Sequence, residues 1–422
     1  MTSLAAAVRV PLTVNRRLVA AGTFILFGLI DILLFGLFAH KGDATFALSL
    51  PSASFQVPSI HAPAAPVAYV LGAASVATGV WRAFADPGQR ARRISIAVVL
   101  LFFVVSLLCW ADAGSIIPLN MVSLLQNTLN GSIPLILGAL SGCMCERSGV
   151  INIAIEGQLI LGAFAAAVVA SAFGVLTLGL ITGSLAGGLL GAVLAVFAIT
   201  YLVDQIILGV VLNVLALGLT SYLYDRILVT NTSLNAALTF NTTKIPGLGD
   251  IPIIGPIFFD SNIFLYITYA AIILVQVGLF RTRWGLRVRA VGEHPTAADT
   301  VGIRVLATRY RNVIMGGVLA GIGGAWLTVG SVGTFSPGMS AGLGYIGLAA
   351  MIFGRWTPLG ATAAALLFGF TQALGSVLAS INVPIPSDIL QMAPYVATII
   401  AVAGLVGRVR APKADGKPYV KA

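Results

Sequence analysis

The sequence predicts an all-α fold, a polytopic transmembrane helical bundle of about 10 to 12 passes with broken or re-entrant helices among them. Composition is the first reason. Of 422 residues, 58% are hydrophobic and 9% charged, against roughly 45–50% apolar and ~25% charged in an ordinary soluble domain. With a mean hydropathy of +0.99, the chain has more apolar surface than a water-soluble fold can hide. The second reason is the recurrence of apolar segments of about 20 residues, the length that crosses a hydrocarbon core ~30 Å thick. The third is the distribution of basic residues, which tests the topology independently.

The segments fall near 18–39, 66–81, 94–111, 120–142, 152–173, 176–200, 205–225, 263–281, 312–331, 342–354, 358–380 and 390–407. Those at 66–81 and 342–354 are short for full spans, and the second is Gly-rich. Such segments are tolerated where protein or a cavity covers the freed backbone groups. The run from Leu18 to Phe38 follows a basic start, as in a signal peptide, yet it is long and no small-residue cleavage site follows. A retained helix is expected.

With the N-terminus cytoplasmic, all 24 lysines and arginines except Lys41, Arg226 and Lys244 fall in cytoplasmic loops. Lys and Arg accumulate there, so the pattern implies an even number of passes and two cytoplasmic termini. The net charge of +10 then reports orientation rather than nucleic-acid binding. Three regions are expected: an accessory transmembrane part over 1–112, a core over 113–410 and a basic cytoplasmic tail over 411–422. An external loop at 40–65 is rich in Pro, Ser and Ala, and a basic linker occupies 82–93. A second external loop, 226–262, carries Pro246, Gly247, Gly249, Pro252, Gly255 and Pro256; it reads equally as a lid, a docking surface or a simple connector.

Several chemistries are excluded. A phosphate-binding P-loop ends in Lys followed by Ser or Thr, but the lysines here precede Gly42, Ile245, Ala414, Pro418 and Ala422. Any ATP is therefore bound by another chain, and no cofactor is expected on this one. His40, His61 and His294 are scattered over loops and suggest neither a metal cluster nor a catalytic triad. Cys109, Cys143 and Cys145 lie in or beside apolar segments, and the CxC pair lacks the second ligand pair of a zinc site.

The stretch RTRWGLRVRAVGEHPTAADTVGIRVLATRYR from Arg281 contains a helix start. Thr296 followed by Asp299 fits a capping box, with Pro295 ahead of it, and Gly302 stops the helix about two turns on. The result is a short cytoplasmic helix presenting Ala297, Ala298 and Val301 to a partner's groove. A basic anchor at the membrane surface is the competing reading.

Three motifs, ERSGVINIAIEGQLILGAF from Glu146, VGEHPTAADTVGI from Val291 and GLGYIGLAAMIFGRWTPLGA from Gly342, resemble the permeases of the ribose and nucleoside class of ABC importers. The similarity runs from about Ser115 to Arg408 and is greatest to the shorter of the two permeases that pair in nucleoside transporters. The resemblance implies alternating access driven by a separate ATPase subunit, a second permease chain and an extracytoplasmic substrate-binding protein. It also implies that Glu293 to Ile303, with Glu293, Thr296, Ala297, Ala298, Asp299, Val301 and Gly302, is the element seated in the ATPase. The region before about residue 112 departs from the family pattern.

Polar groups inside a membrane are costly and mark functional candidates. Ser123, Asn127 and Asn130 share a helical face, with Gln126 beside them and Pro134 expected to break the helix beyond. Asn152 and Glu156 fall four apart, and Asn213 aligns with Thr220 and Tyr224. Ser123, Gln126, Asn127, Asn130, Asn152, Glu156 and Asn213 are the substrate-pathway candidates, weighed against plain interhelical hydrogen bonding. Glu156 also reads as a structural partner of Arg147. Gly183, Gly187 and Gly191, with Gly317 and Gly321, follow the small-xxx-small packing pattern. An ion-coupled secondary transporter, with Asp31, Glu156 or Asp204 carrying protons, is the alternative function.

Overall fold

The computed structural model describes residues 16–38, 42–51, 55–85, 87–115, 118–380, 392 and 410–421. The expected pass at 390–407 lies outside the described residues. These fall into two units, one running to Met121 and the other from Val122 to Ala379 together with the C-terminal tail.

In the first unit, α1 (Arg16–Ile30) continues into a π-helical turn, Asp31–Gly36. Strands β1 (Asp43–Ala47) and β2 (Ile60–Pro63) precede α2 (Ala64–Phe84) and α3 (Gln89–Asp112), and β3 (Leu119–Asn120) closes the sheet. β1 pairs antiparallel with β2 and parallel with β3. The segment at 66–81 is thus part of a 21-residue helix, long enough to span. Helices α1 and α2 touch backbone to backbone, since a Cβ on either Gly28 or Gly72 would meet the other's carbonyl.

The second unit begins with α4 (Met121–Glu146), α5 (Ile155–Phe173), α6 (Leu176–Ala195) and α7 (Gln205–Leu223). The last two end in π-helical turns at Val196–Thr200 and Tyr224–Leu228. Then come β4 (Thr243–Lys244), α8 (Ile254–Phe259), β5 (Asp260–Ser261), α9 (Ile263–Arg281), α10 (Arg283–Glu293) and α11 (Pro295–Thr300). α12 (Val305–Leu327), α13 (Leu343–Phe353) and α14 (Pro358–Ser380) follow. Ten helices among the described residues are long and apolar enough to cross a membrane; α13 is not one of them. α4 is the most buried of the ten, and it runs through Pro134 without interruption. Proline removes one hydrogen bond inside a helix, but here neighbouring helices enclose the site and the predicted break does not occur.

Helices α5, α6 and α12 form the tightest packing. A Cβ on Gly187 would strike the Gly317 carbonyl, and one on Gly321 the Gly183 carbonyl. Glycine lets these backbones reach van der Waals contact. The core around them holds Leu190, Leu194, Leu212 and Val313.

The chain from α12 to α14 is a broken crossing. Phe335 exchanges hydrogen bonds with Asn235, beyond the end of α7, whereas the carbonyls of Arg355 and Trp356 accept from Arg147, beyond the end of α4. The two points lie at opposite ends of the bundle, so an irregular stretch and the 11-residue α13 together traverse it. The left-handed turn at Arg355 and Trp356 (φ 56° and 53°) is unusual for residues with side chains and is held by that arginine.

Candidate functional site

The break in this crossing is stabilised by Glu156. Its Oε1 accepts from Ser340 Oγ at 2.6 Å and Gly342 N at 2.8 Å, and its Oε2 from Gly344 N at 2.7 Å. An irregular backbone at membrane depth leaves amide groups without helical partners, and a carboxylate at the start of a helix satisfies them while opposing the helix dipole. Gly342 adopts φ +83°, and a Cβ on Gly344 would run into Glu156. Glu156 therefore does not pair with Arg147, the reading taken from sequence proximity. Arg147 instead binds the Arg355 and Trp356 carbonyls and lies over the Phe280 ring.

Asn213 on α7 ties the same region together. Its Oδ1 accepts from Gly157 N at 2.7 Å, and its Nδ2 donates to Ile153 O at 2.9 Å and Tyr345 Oη at 3.0 Å. The Tyr345 ring itself is 47% exposed. Thr220 bonds back to Ala216 O on its own helix and shares no partner with Asn213. Asn152 and Glu156 do not share a helical face either, because α5 starts only at Ile155. Asn152 is buried in the preceding turn, donating to Ser141 Oγ and Gln158 Oε1.

On α4 the polar stripe meets the segment between α7 and α9. Gln126 Nε2 donates to Pro256 O at 2.8 Å, and Asn130 Oδ1 accepts from Ser261 Oγ at 3.0 Å. Ser123 is half-buried, and Asn127 is the member of the stripe that faces outward. Asp204, considered as a proton carrier, caps α7 by accepting from Ile206 N and Ile207 N. Asp31 is buried in the first unit.

In the segment beyond α9, α11 starts differently from the predicted capping box. His294 occupies the cap position without a side-chain bond, and Pro295 is the first helical residue. Proline's fixed φ suits that position, so Thr296 lies one place inside the helix. The stop at Gly302 is as expected: it adopts φ +84°, while Gly302 N and Ile303 N close back onto Asp299 O and Ala298 O. Ala298 is not presented outward. It is 3% exposed and packs with Val291, Val305 and Tyr419, whereas Thr296, Ala297 and Val301 are exposed, the last at 74%. Glu293 Oε2 accepts from Lys413 N, and Asp299 meets the Tyr419 hydroxyl.

Sequence reasoning missed Ser340, Tyr345, Trp356, Arg309 and Asp415. The Ser-x-Gly-x-Gly spacing at 340–344 carried a usable signal for a carboxylate-capped break; nothing local marks the others.

A family model for the permease component of the branched-chain amino acid transport system matches residues 124–403. The chain belongs to this family. It is 43% identical over 306 residues to the guanosine ABC transporter permease protein NupQ of Bacillus subtilis, covering 70% of this chain and 95% of that one. The nucleoside ABC transporter permease protein NupC of Lactococcus lactis is 41% identical over 316 residues, 72% of this chain and 99% of its own. NupB of the same strain, also a nucleoside ABC transporter permease protein, is 25% identical over 304 residues. No solved structure matches. Membership makes the chain a multi-pass membrane permease component rather than the ATPase, and the ion-coupled alternative loses its ground. The first unit lies almost wholly ahead of the family match.

Proposed function

We propose that this chain is the permease subunit of an ATP-driven nucleoside importer. It works by alternating access with a related second permease chain, an ATPase subunit and an extracytoplasmic substrate-binding protein. The observation that carries the reading is the 41–43% identity to guanosine and nucleoside permeases along nearly their whole length. Pairing with a second permease is supported by the two nucleoside permeases, NupC and NupB, of a single Lactococcus strain. The pathway runs past the break at Ser340 to Tyr345 and the α4 stripe, whose neutral Ser123, Gln126, Asn127 and Asn130 suit an uncharged sugar and base. Asn152, Glu156 and Asn213 hold that pathway's shape, since their hydrogen-bonding groups are already engaged.

The segment Glu293 to Gly302 meets the ATPase through Thr296, Ala297 and Val301, with Ala298 and Asp299 fixing the helix from behind. Both termini are cytoplasmic. The tail's packing against α10 and α11 puts its basic residues at the same end as Arg147, Arg289 and Arg355, which fits the charge bias.

Vesicles holding the whole complex are expected to take up guanosine only with ATP, unaffected by a proton ionophore. Uptake that persists without ATP and collapses with the ionophore would sink the reading. On α11, Ala297→Trp or Val301→Asp is expected to cut ATPase recovery on co-purification by roughly tenfold, as overfilled contacts cost ~1–3 kcal/mol. Arg304→Ala loses one exposed charge, worth under about 1 kcal/mol, and should change little.

A further inference from the structure

The last described residues are not a loose charged end. Ala414 N donates to Gly292 O at 2.9 Å, and Arg309 Nη1 donates to Lys417 O at 3.0 Å. Arg309, on α12, is 1% exposed, and its Nε and Nη2 have no hydrogen-bond partner. Asp415 lies close enough to that cation and to the carboxyl of Glu146, at the end of α4, to act on both electrostatically, and its Oδ1 has no hydrogen-bond partner. Trp356 Nε1 donates to the other side of Glu146. The tail therefore brings a carboxyl to a buried guanidinium that has one hydrogen bond among the described residues.

Space has been kept for the tail. A Cβ on Gly149, which has φ +87°, would meet Arg309 Nη2 at 2.9 Å and Ala414 O at 3.2 Å. Four residues beyond Asp415, the Tyr419 ring is buried against Val291, Ala298 and Val305, with Asp299 close enough to act on its hydroxyl. The tail thus joins a buried ionic cluster on α4 and α12 to the inner face of α11. It also forms one wall of an open groove whose other wall is Glu293 to Thr296.

We propose that residues 410–421 are a latch that sets the orientation of α11, with Asp415 as its anchored end and Tyr419 as the positioning residue that presses on Ala298 and Asp299. The proposal rests on the reading of α11 as the ATPase contact. A six-residue helix has too few internal bonds to hold itself rigid. Force from the ATPase reaches the membrane helices only if α11 is braced, and the tail is a brace tied directly to α4 and α12.

The test uses the full complex in liposomes and reads nucleoside imported per ATP hydrolysed, together with ATPase recovery on co-purification. Tyr419→Ala and Asp415→Ala are expected to lower import per ATP roughly tenfold, as a packed ring or the tail's inserted carboxyl is lost. Tyr419→Phe keeps the ring and loses only the polar contact of the hydroxyl with Asp299, and should fall about twofold to threefold. Lys421→Ala should match wild type. If Tyr419→Ala fails to assemble, Tyr419→Phe and Asp415→Ala decide the matter by the same ratio.

Wild-type import per ATP in the tail variants, while Ala297→Trp and Val301→Asp lose the ATPase, overturns the latch and leaves the α11 contact standing. Unchanged ATPase recovery in those two α11 variants overturns the α11 contact and the latch with it.

Discussion

Glu156→Ala is expected to abolish transport and lower the thermal midpoint of the purified complex. The carboxylate satisfies Ser340 Oγ, Gly342 N and Gly344 N at 2.6–2.8 Å, and its removal strands all three at the break in a membrane crossing. A hydrogen bond to a charged group is worth ~1.5–3 kcal/mol, and stranding a buried partner costs as much again. Even after subtracting the cost of burying a carboxylate, a loss of about 3 kcal/mol or more remains.

Glu156→Gln keeps the shape and one acceptor oxygen, but it turns an amide NH2 toward a donor and should give an intermediate midpoint. A substrate ligand would behave differently: Glu156→Ala would then raise KM and leave the melting midpoint in place. Fluorescence-detected gel filtration across a temperature ramp, alongside uptake, separates the two.

The latch carries a pH signature that follows from its geometry. Burial pushes the Asp415 carboxyl up to about 6, against the lowering influence of Glu146, the Gly416 N–H and Arg309. A carboxyl whose pKa is raised on docking binds its proton more tightly docked than free. This contribution to docking is fully present below the undocked value near 3.8 and is lost as pH rises through about 6. Protease protection of the tail in the detergent-purified complex should therefore be greater at pH 5.5 than at pH 7.5, and Asp415→Asn should flatten the difference. Equal protection at both values in the wild type would refute the assignment.

How much was legible in the sequence depends on the range of the interaction that decides each element. The long helices were, because twenty apolar residues in a row admit few alternatives, and the stop at Gly302 was, because a glycine with φ > 0 acts locally. The break at 340–345 was visible only as a short Gly-rich segment. Its stabiliser, Glu156, is remote in sequence, and proximity along the chain points it to Arg147 instead. A two-turn helix considered alone presents Ala298 outward. Ala298 packs inward against Val291, Val305 and Tyr419, and a six-residue helix has too little periodicity to report which of its faces those partners cover. The capping box at Thr296 failed for a local reason: Pro295 takes the first helical position and moves the cap back to His294. Of the α4 stripe, the polar spacing was visible, but which members are already engaged by the segment at 256–261 was not.

The close contact of α6 with α12 gives the other large expected effect. At Gly187 a single Cβ would meet both the Gly317 carbonyl and the Gly321 backbone. Because both obstacles are backbone, neither can swing aside as a side chain would. Gly187→Leu has to push the helices apart along the whole seam that Gly183, Gly191 and Gly317 share, and helix association in a membrane depends on that packing. Overpacking by even one or two methylenes costs ~1–3 kcal/mol, and a leucine against two backbones exceeds that range. The expected result is little or no monodisperse protein, with Gly187→Ala giving partial recovery. Gly218→Ala on α7, where a Cβ meets nothing within 4 Å, should leave recovery and transport at wild-type level, with helix propensity gaining up to about 1 kcal/mol. Wild-type recovery and transport in Gly187→Leu would show that α6 and α12 do not meet through their glycines.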